Sequence, residues 1–115
     1  MHMEMTVTEL AGEVTCVRLV TRLDAQGADR IGLRFTTAVA AQARNAVIDL
    51  SGVSFVASMG LRLLISTARA LNGKGCKMVL FGATDLVQGV FDDAALDQIM
   101  PIVETEDQAL AALAS

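Results

Sequence analysis

The chain has 115 residues, and 53% of them are hydrophobic, yet it carries only four Phe, no Trp and no Tyr. This length suits one domain over residues 1–115, with an aliphatic core that needs no disulfide staples. A net charge of −4, with nine Lys and Arg scattered among thirteen acids, excludes the basic stripe that nucleic-acid phosphates require, and the lack of aromatic platforms argues against base stacking.

In chain order, Met5 to Ala11 and Val14 to Leu23 read as two strands joined by a turn at Gly12-Glu13. In the second, Val17, Leu19 and Leu23 alternate with Arg18 and Arg22, the mark of a half-buried strand. Asp24 is placed to cap a helix running to about Arg44, whose apolar face is Ala28, Ile31, Phe35, Ala38 and Val39. Gln42 continues that row and turns it polar. Ala46 to Leu50 (AVIDL) has no helical period and suits a central strand buried on both faces.

The segment Ser51 to Ala57 (SGVSFVA) reads as a loop, and a helix follows from Ser58 to Leu71. Asn72-Gly73 ends that helix with residues that tolerate a left-handed conformation. Cys76 to Phe81 is the next strand, and Thr84 and Asp85 open a short helix with Leu86, Val87, Val90 and Phe91 facing inward. Pro101 and Ile102-Val103 suggest a last short strand or extended segment. Thr105 then starts a terminal helix with the Thr105–Gln108 spacing of a capping box, acids Glu106 and Asp107 in its first turn, and Leu110 and Leu113 docking it. The order predicts one α/β domain, a mixed sheet packed with about four helices.

The residues that build catalytic centres do not converge. His2 is the only histidine, which excludes a histidine-based catalytic or metal centre. Cys16 and Cys76 are the only cysteines and are expected to be buried thiols that pack as small hydrophobes. Gly73, Gly75 and Gly82 do not make a phosphate loop, Asp92-Asp93 reads as a solvated turn, and Asp49 reads as the residue that turns the chain at a strand end. No cofactor or metal is expected. Apolar runs are far shorter than the ~20 residues of a membrane span, and no signal-peptide pattern opens the chain, so a cytoplasmic protein is the expectation.

On a helical wheel the helix from Ser58 places Leu61, Leu64, Ile65, Ala68 and Leu71 on one face. Arg62, Ser66 and Arg69 lie opposite, with Ser58 beside them. Met59 and Leu63 fall off the main apolar face, either as a second layer against a neighbouring helix or as an exposed docking patch. Ser58 itself has two compatible readings: a helix N-cap, or a hydroxyl open to a kinase at a loop-to-helix junction.

Val47 to Leu64 (VIDLSGVSFVASMGLRLL) resembles the signature of the STAS family, in particular the bacterial anti-sigma factor antagonists. That family's pattern is a strand ending Asp-Leu-Ser, a Val-x-Phe loop, then Asp-Ser-x-Gly-Leu opening a helix. The matches are Asp49-Leu50-Ser51, Val53 and Phe55, and Ser58, Gly60 and Leu61, and the order of elements agrees over nearly the whole chain. The resemblance implies a non-enzymatic, phosphorylation-controlled binding protein. Its implied partners are an anti-sigma factor with GHKL-type serine kinase activity and a metal-dependent serine phosphatase. Ser58 would be the phosphoacceptor, and the partner face would comprise Ser54, Val56, Ala57, Ser58, Met59, Arg62 and Leu63. The family's common Asp before the serine is Ala57 here; an acid there would help orient the hydroxyl or a kinase contact. The alternative is a STAS scaffold subunit of a lipid-transport or stress-sensing complex, with Ser58 only a cap. A small α/β enzyme or nucleotide binder is the third possibility.

Overall fold

A computed structural model describes residues 4–114, so the expectation for His2 lies outside the described residues. The strands are β1 (Met5–Leu10), β2 (Val14–Leu19), β3 (Ala46–Asp49), β4 (Met78–Phe81) and β5 (Ile102–Val103). The helices are α1 (Ala25–Ala40), α2 (Ser58–Asn72), α3 (Asp85–Asp93) and α4 (Glu106–Ala114), with a single 3₁₀ turn at Leu96–Gln98. The sheet order is β1-β2-β3-β4-β5; β1 and β2 pair antiparallel and every other pair is parallel.

Each parallel crossover moves one place along the sheet in the same direction, so crossovers of one hand put their helices on one face. The core follows that rule. Val17, Leu19, Ala46, Ile48, Met78 and Leu80 pack with Ile31 and Phe35 of α1, Leu64 and Leu71 of α2, and Val87 and Phe91 of α3. The alternate residues Val14, Cys16, Val47, Val79 and Phe81 face the other way, under Ala109, Leu110 and Leu113 of α4. Cover on both sides explains why β3 and β4 read as unbroken apolar runs. Among the described residues, no helix is long and apolar enough to cross a membrane.

Several boundaries differ from the sequence pattern. Helix α1 stops at Ala40, four residues short of Arg44, and the chain turns through Ala43 in the left-handed region (φ 51) to enter β3. The polar Gln42 lies just beyond that stop, and the turn brings Ala46 into parallel register with Thr15 of β2 and Met78 of β4. At the end of α2 the left-handed residue is Gly75 (φ 77), while Gly73 stays right-handed. Leu86 is 62% exposed and does not belong to the inner face of α3. Asp92-Asp93 forms the last turn of α3, where Asp92 accepts a bond from the Gln88 side chain (2.9 Å). Cys16 is buried, but Cys76 is only half-buried.

Candidate functional site

The segment between β3 and α2 is held by the backbone at both ends. Asp49 closes β3, and its carboxylate accepts the Ser51 N–H at 2.9 Å, the chain-turning role expected of it. The Val53 N–H donates to the Leu50 carbonyl at 3.0 Å, and Val53 is fully buried. Farther on, the chain after β2 returns to meet the loop. The Leu23 N–H donates to the Phe55 carbonyl (2.8 Å) and the Ala57 N–H to the Leu23 carbonyl (2.9 Å), a parallel bridge of Leu23 with Val56. Thus Leu23 does not continue β2, which ends at Leu19; it pairs with the loop. Val56 is only 2% exposed and anchors the loop from below, which corrects its placement on the partner face. The Arg22 guanidinium lies over the Phe55 ring, 4.9 Å from its centroid.

Helix α2 begins without a side-chain cap. The N-cap residue is Ala57, extended at φ −113 and ψ −177, and Ser58 is the first helical residue. The capping reading of Ser58 is therefore corrected: its hydroxyl is exposed and makes no hydrogen bond among the described residues. The first intrahelical bond runs from the Leu61 N–H to the Ala57 carbonyl (3.0 Å), so the amides before it lack an intrahelical partner. The glycine two residues after Ser58 has a steric cause. A β-carbon on Gly60 would lie 2.2 Å from the Leu23 carbonyl oxygen and 2.7 Å from the Leu23 β-carbon. Only glycine lets the Leu23 backbone pass beneath the first turn of α2.

The buried stripe of α2 is Gly60, Leu64, Thr67, Ala68 and Leu71. Leu61 and Ile65 flank it on one side and Leu63 on the other, all half-buried. The Thr67 hydroxyl meets the Thr36 hydroxyl of α1 at 3.4 Å between the helices. Ser58, Arg62, Ser66 and Arg69 face outward. Ion pairs among the described residues join Arg22 to Asp24, Arg30 to Glu4 and Arg44 to Glu9, so Arg62 and Arg69 are unpaired cations on a net-acidic chain.

Of the expected partner face, Ser54, Ser58, Met59 and Arg62 are exposed, and Ala57 and Leu63 are half-buried. The two side chains of the Met59–Leu63 pair sit differently. Leu63 packs toward α1, where its Cδ1 lies 3.8 Å from the place a β-carbon would take on Gly32, whereas Met59 is 44% exposed. Together they line a groove of about 680 Å³ between α1 and α2, with Asp29, Gly32, Leu33, Arg62 and Ser66 among its other walls. Leu33 is 83% exposed and was not among the expected residues. Its signal was present: a leucine off the α1 stripe of Ala28, Ile31, Phe35 and Val39 has no core to enter.

Titration around the site is simple. The Gly27 N–H and then Arg22 hold the Asp24 carboxyl below the usual range, because Asp24 caps α1. On the far face of the sheet, burial pushes the Cys16 thiol up, which removes it as a nucleophile. The assembly can present the free Ser58 hydroxyl, in a depression it shares with the cations Arg62 and Arg69, to a macromolecule.

The profile of the STAS domain matches residues 4–109. An anti-sigma F factor antagonist of Paenibacillus polymyxa is 30% identical over 101 residues, covering 87% of this chain and 86% of that protein. A solved STAS-domain anti-sigma factor antagonist from Planctomyces limnophilus is 28% identical, with a TM-score of 0.85 over 96% of this chain and 98% of its own. An anti-sigma factor antagonist from Mycobacterium paratuberculosis is 26% identical, with a TM-score of 0.84 over 96% and 93%.

Proposed function

The chain belongs to the STAS domain family, on the side of its anti-sigma factor antagonists, and we propose that it is a cytoplasmic, non-enzymatic switch protein whose partner is an anti-sigma factor with serine kinase activity. The observation that carries this reading is Ser58: a first-turn serine, exposed, relieved of capping, and next in the chain to Met59, which lines the α1–α2 groove. In the unphosphorylated state the partner covers Ser54, Ala57, Ser58, Met59, Arg62 and Leu63. Its GHKL-type kinase moves the γ-phosphoryl group of ATP to the Ser58 oxygen; ADP leaves and the hydroxyl proton is released. A metal-dependent phosphatase reverses the state by adding water across the phosphoester, which returns inorganic phosphate and the serine.

A phosphoserine carries about −1.5 to −2 charges at pH 7. Beside Met59 and Leu63 that charge would have to be desolvated for the partner to stay, and it would repel any acid the partner places near Arg62. The complex then separates without refolding of the domain.

The test pairs the protein with a serine-kinase anti-sigma factor from the same organism. With ATP, mass spectrometry is expected to place one phosphate at Ser58. Ser58→Ala should bind the kinase and resist release by ATP, and Ser58→Asp should bind at least about tenfold more weakly, a loss of about 1.4 kcal/mol. A chain left unmodified at Ser58, with Ser58→Asp binding as well as the parent, overturns the reading.

A further inference from the structure

Ser58 and Arg62 are four residues apart on α2, so their β-carbons lie about 5–6 Å from each other on one side of the helix. Both are exposed, and both line one open depression of about 500 Å³ with Leu61, Ile65, Ser66 and Arg69. Arg62 also borders the α1–α2 groove, on the other side of the same ridge, with Met59, Leu63 and Leu33. Asp29 lines that groove too, yet Arg62 forms no ion pair with it or with any other described residue. An arginine that borders two depressions and is fastened in neither has two places to go.

We propose that a phosphate on Ser58 is gripped within the chain by Arg62, which thereby leaves the α1–α2 groove. This rests on the reading that Ser58 is the phosphorylated residue. The guanidinium fork matches phosphate oxygens with parallel N–H donors, a pairing a point charge does not reproduce. Leu61 and Ile65 form the apolar wall of the depression and exclude part of the water that would weaken the pair. Phosphorylation then changes the partner face twice: it adds an anion at Ser58 and withdraws a cation from the groove.

Phosphoserine is installed at position 58 during synthesis of the full chain, by amber suppression, so the test does not depend on any kinase. The phosphate is titrated by ³¹P NMR in the parent, Arg62→Gln, Arg62→Lys and Arg69→Gln proteins. The second ionisation of phosphoserine, ordinarily near pH ~6, is expected to lie about 0.5 pH unit lower in the parent than in Arg62→Gln, about threefold in the equilibrium. Arg62→Lys should keep part of that difference and Arg69→Gln nearly all of it, and 1 M salt should shrink it. Identical titrations in the parent and Arg62→Gln overturn the proposal, as does an equal effect of Arg69→Gln, which would mark a general field. Failure of a kinase to modify Ser58 would instead strike the switch reading and leave this measurement standing.

Discussion

Helices α1 and α2 start alike in one respect and differ in another. Each has a glycine as its third residue, Gly27 and Gly60, and each glycine is pressed against the same short stretch of backbone, Arg22–Leu23. That stretch is a common seat for two helix starts. Their caps differ. Asp24 caps α1 through the Gly27 N–H at 2.8 Å, as Thr84 caps α3 at 3.3 Å and Thr105 caps α4 at 3.1 Å. Only α2 among these helices lacks a side-chain cap. Its start is positioned by the Leu23–Val56 bridge and by buried Val53 and Val56. Tertiary contacts have taken over the work of a cap, which leaves the Ser58 hydroxyl unspent.

The shared seat gives the largest expected effect. A β-carbon on Gly27 would stand 1.7 Å from the Arg22 carbonyl oxygen, and one on Gly60 would stand 2.2 Å from that of Leu23. Neither obstacle is a flexible side chain, so backbone must move. Overpacking of this kind costs about 1–3 kcal/mol or more, against a helix-propensity gain of at most about 1 kcal/mol from alanine. Gly27→Ala and Gly60→Ala are each expected to lose about 2 kcal/mol in urea denaturation, Gly27→Ala the more. Only Gly60→Ala should also weaken partner binding, since it shifts the first turn that bears Ser58. Equal stability of either variant and the parent would mean that the seat is loose.

The cap difference gives an effect about half as large and of opposite sign. Ala57→Asp places an acceptor at the N-cap, where the backbone is already extended. Such a cap is worth about 1 kcal/mol, so the variant is expected to melt roughly 4 °C higher. A melting temperature at or below the parent's would show that the first amides of α2 gain nothing from an acceptor.

Legibility in the sequence followed the range of the interactions. The caps at Asp24, Thr84 and Thr105 are contacts within three residues, and all were readable, including the reciprocal bond from the Thr105 N–H to the Gln108 side chain at 3.1 Å. The doubly covered strands β3 and β4 were readable from their unbroken apolar runs. The Leu23–Val56 bridge was not, because it joins segments 33 positions apart (56 − 23) that carry no pattern of their own. The core face of α2 was displaced for a related reason: Gly60 and Thr67, buried at its centre, do not count as apolar on a wheel. That displacement made Leu63 look stranded when it borders the core. Ser58 was singled out correctly as exposed, but its freedom from capping became visible only when the backbone put Ala57 in the N-cap place.

The smallest effect separates the two starts by pH. In α1 the cap is a carboxylate whose pKa the Gly27 N–H, and then Arg22, hold below its ordinary value. A folded-state pKa below the unfolded one, about 3.9 for Asp, means that the folded protein holds the charged form more firmly. That stabilisation is complete above the unfolded value and is lost as pH falls through the folded one. Glu4, lowered by Arg30 and Thr21, fades in the same acid range, so the parent's melting curve alone would not isolate the cap. Asp24→Asn does, because asparagine caps nearly as well without charge. The parent is expected to melt slightly above Asp24→Asn at pH 7, and the gap should close as the pH falls below about 4. The parent's α2 has no titratable cap, so a second acid-sensitive increment should appear only in Ala57→Asp and fade over a similar range. If the gap between the parent and Asp24→Asn stayed constant from pH 7 to pH 2.5, the charge on Asp24 would contribute nothing to the start of α1. The two helix starts would then differ in hydrogen bonding alone.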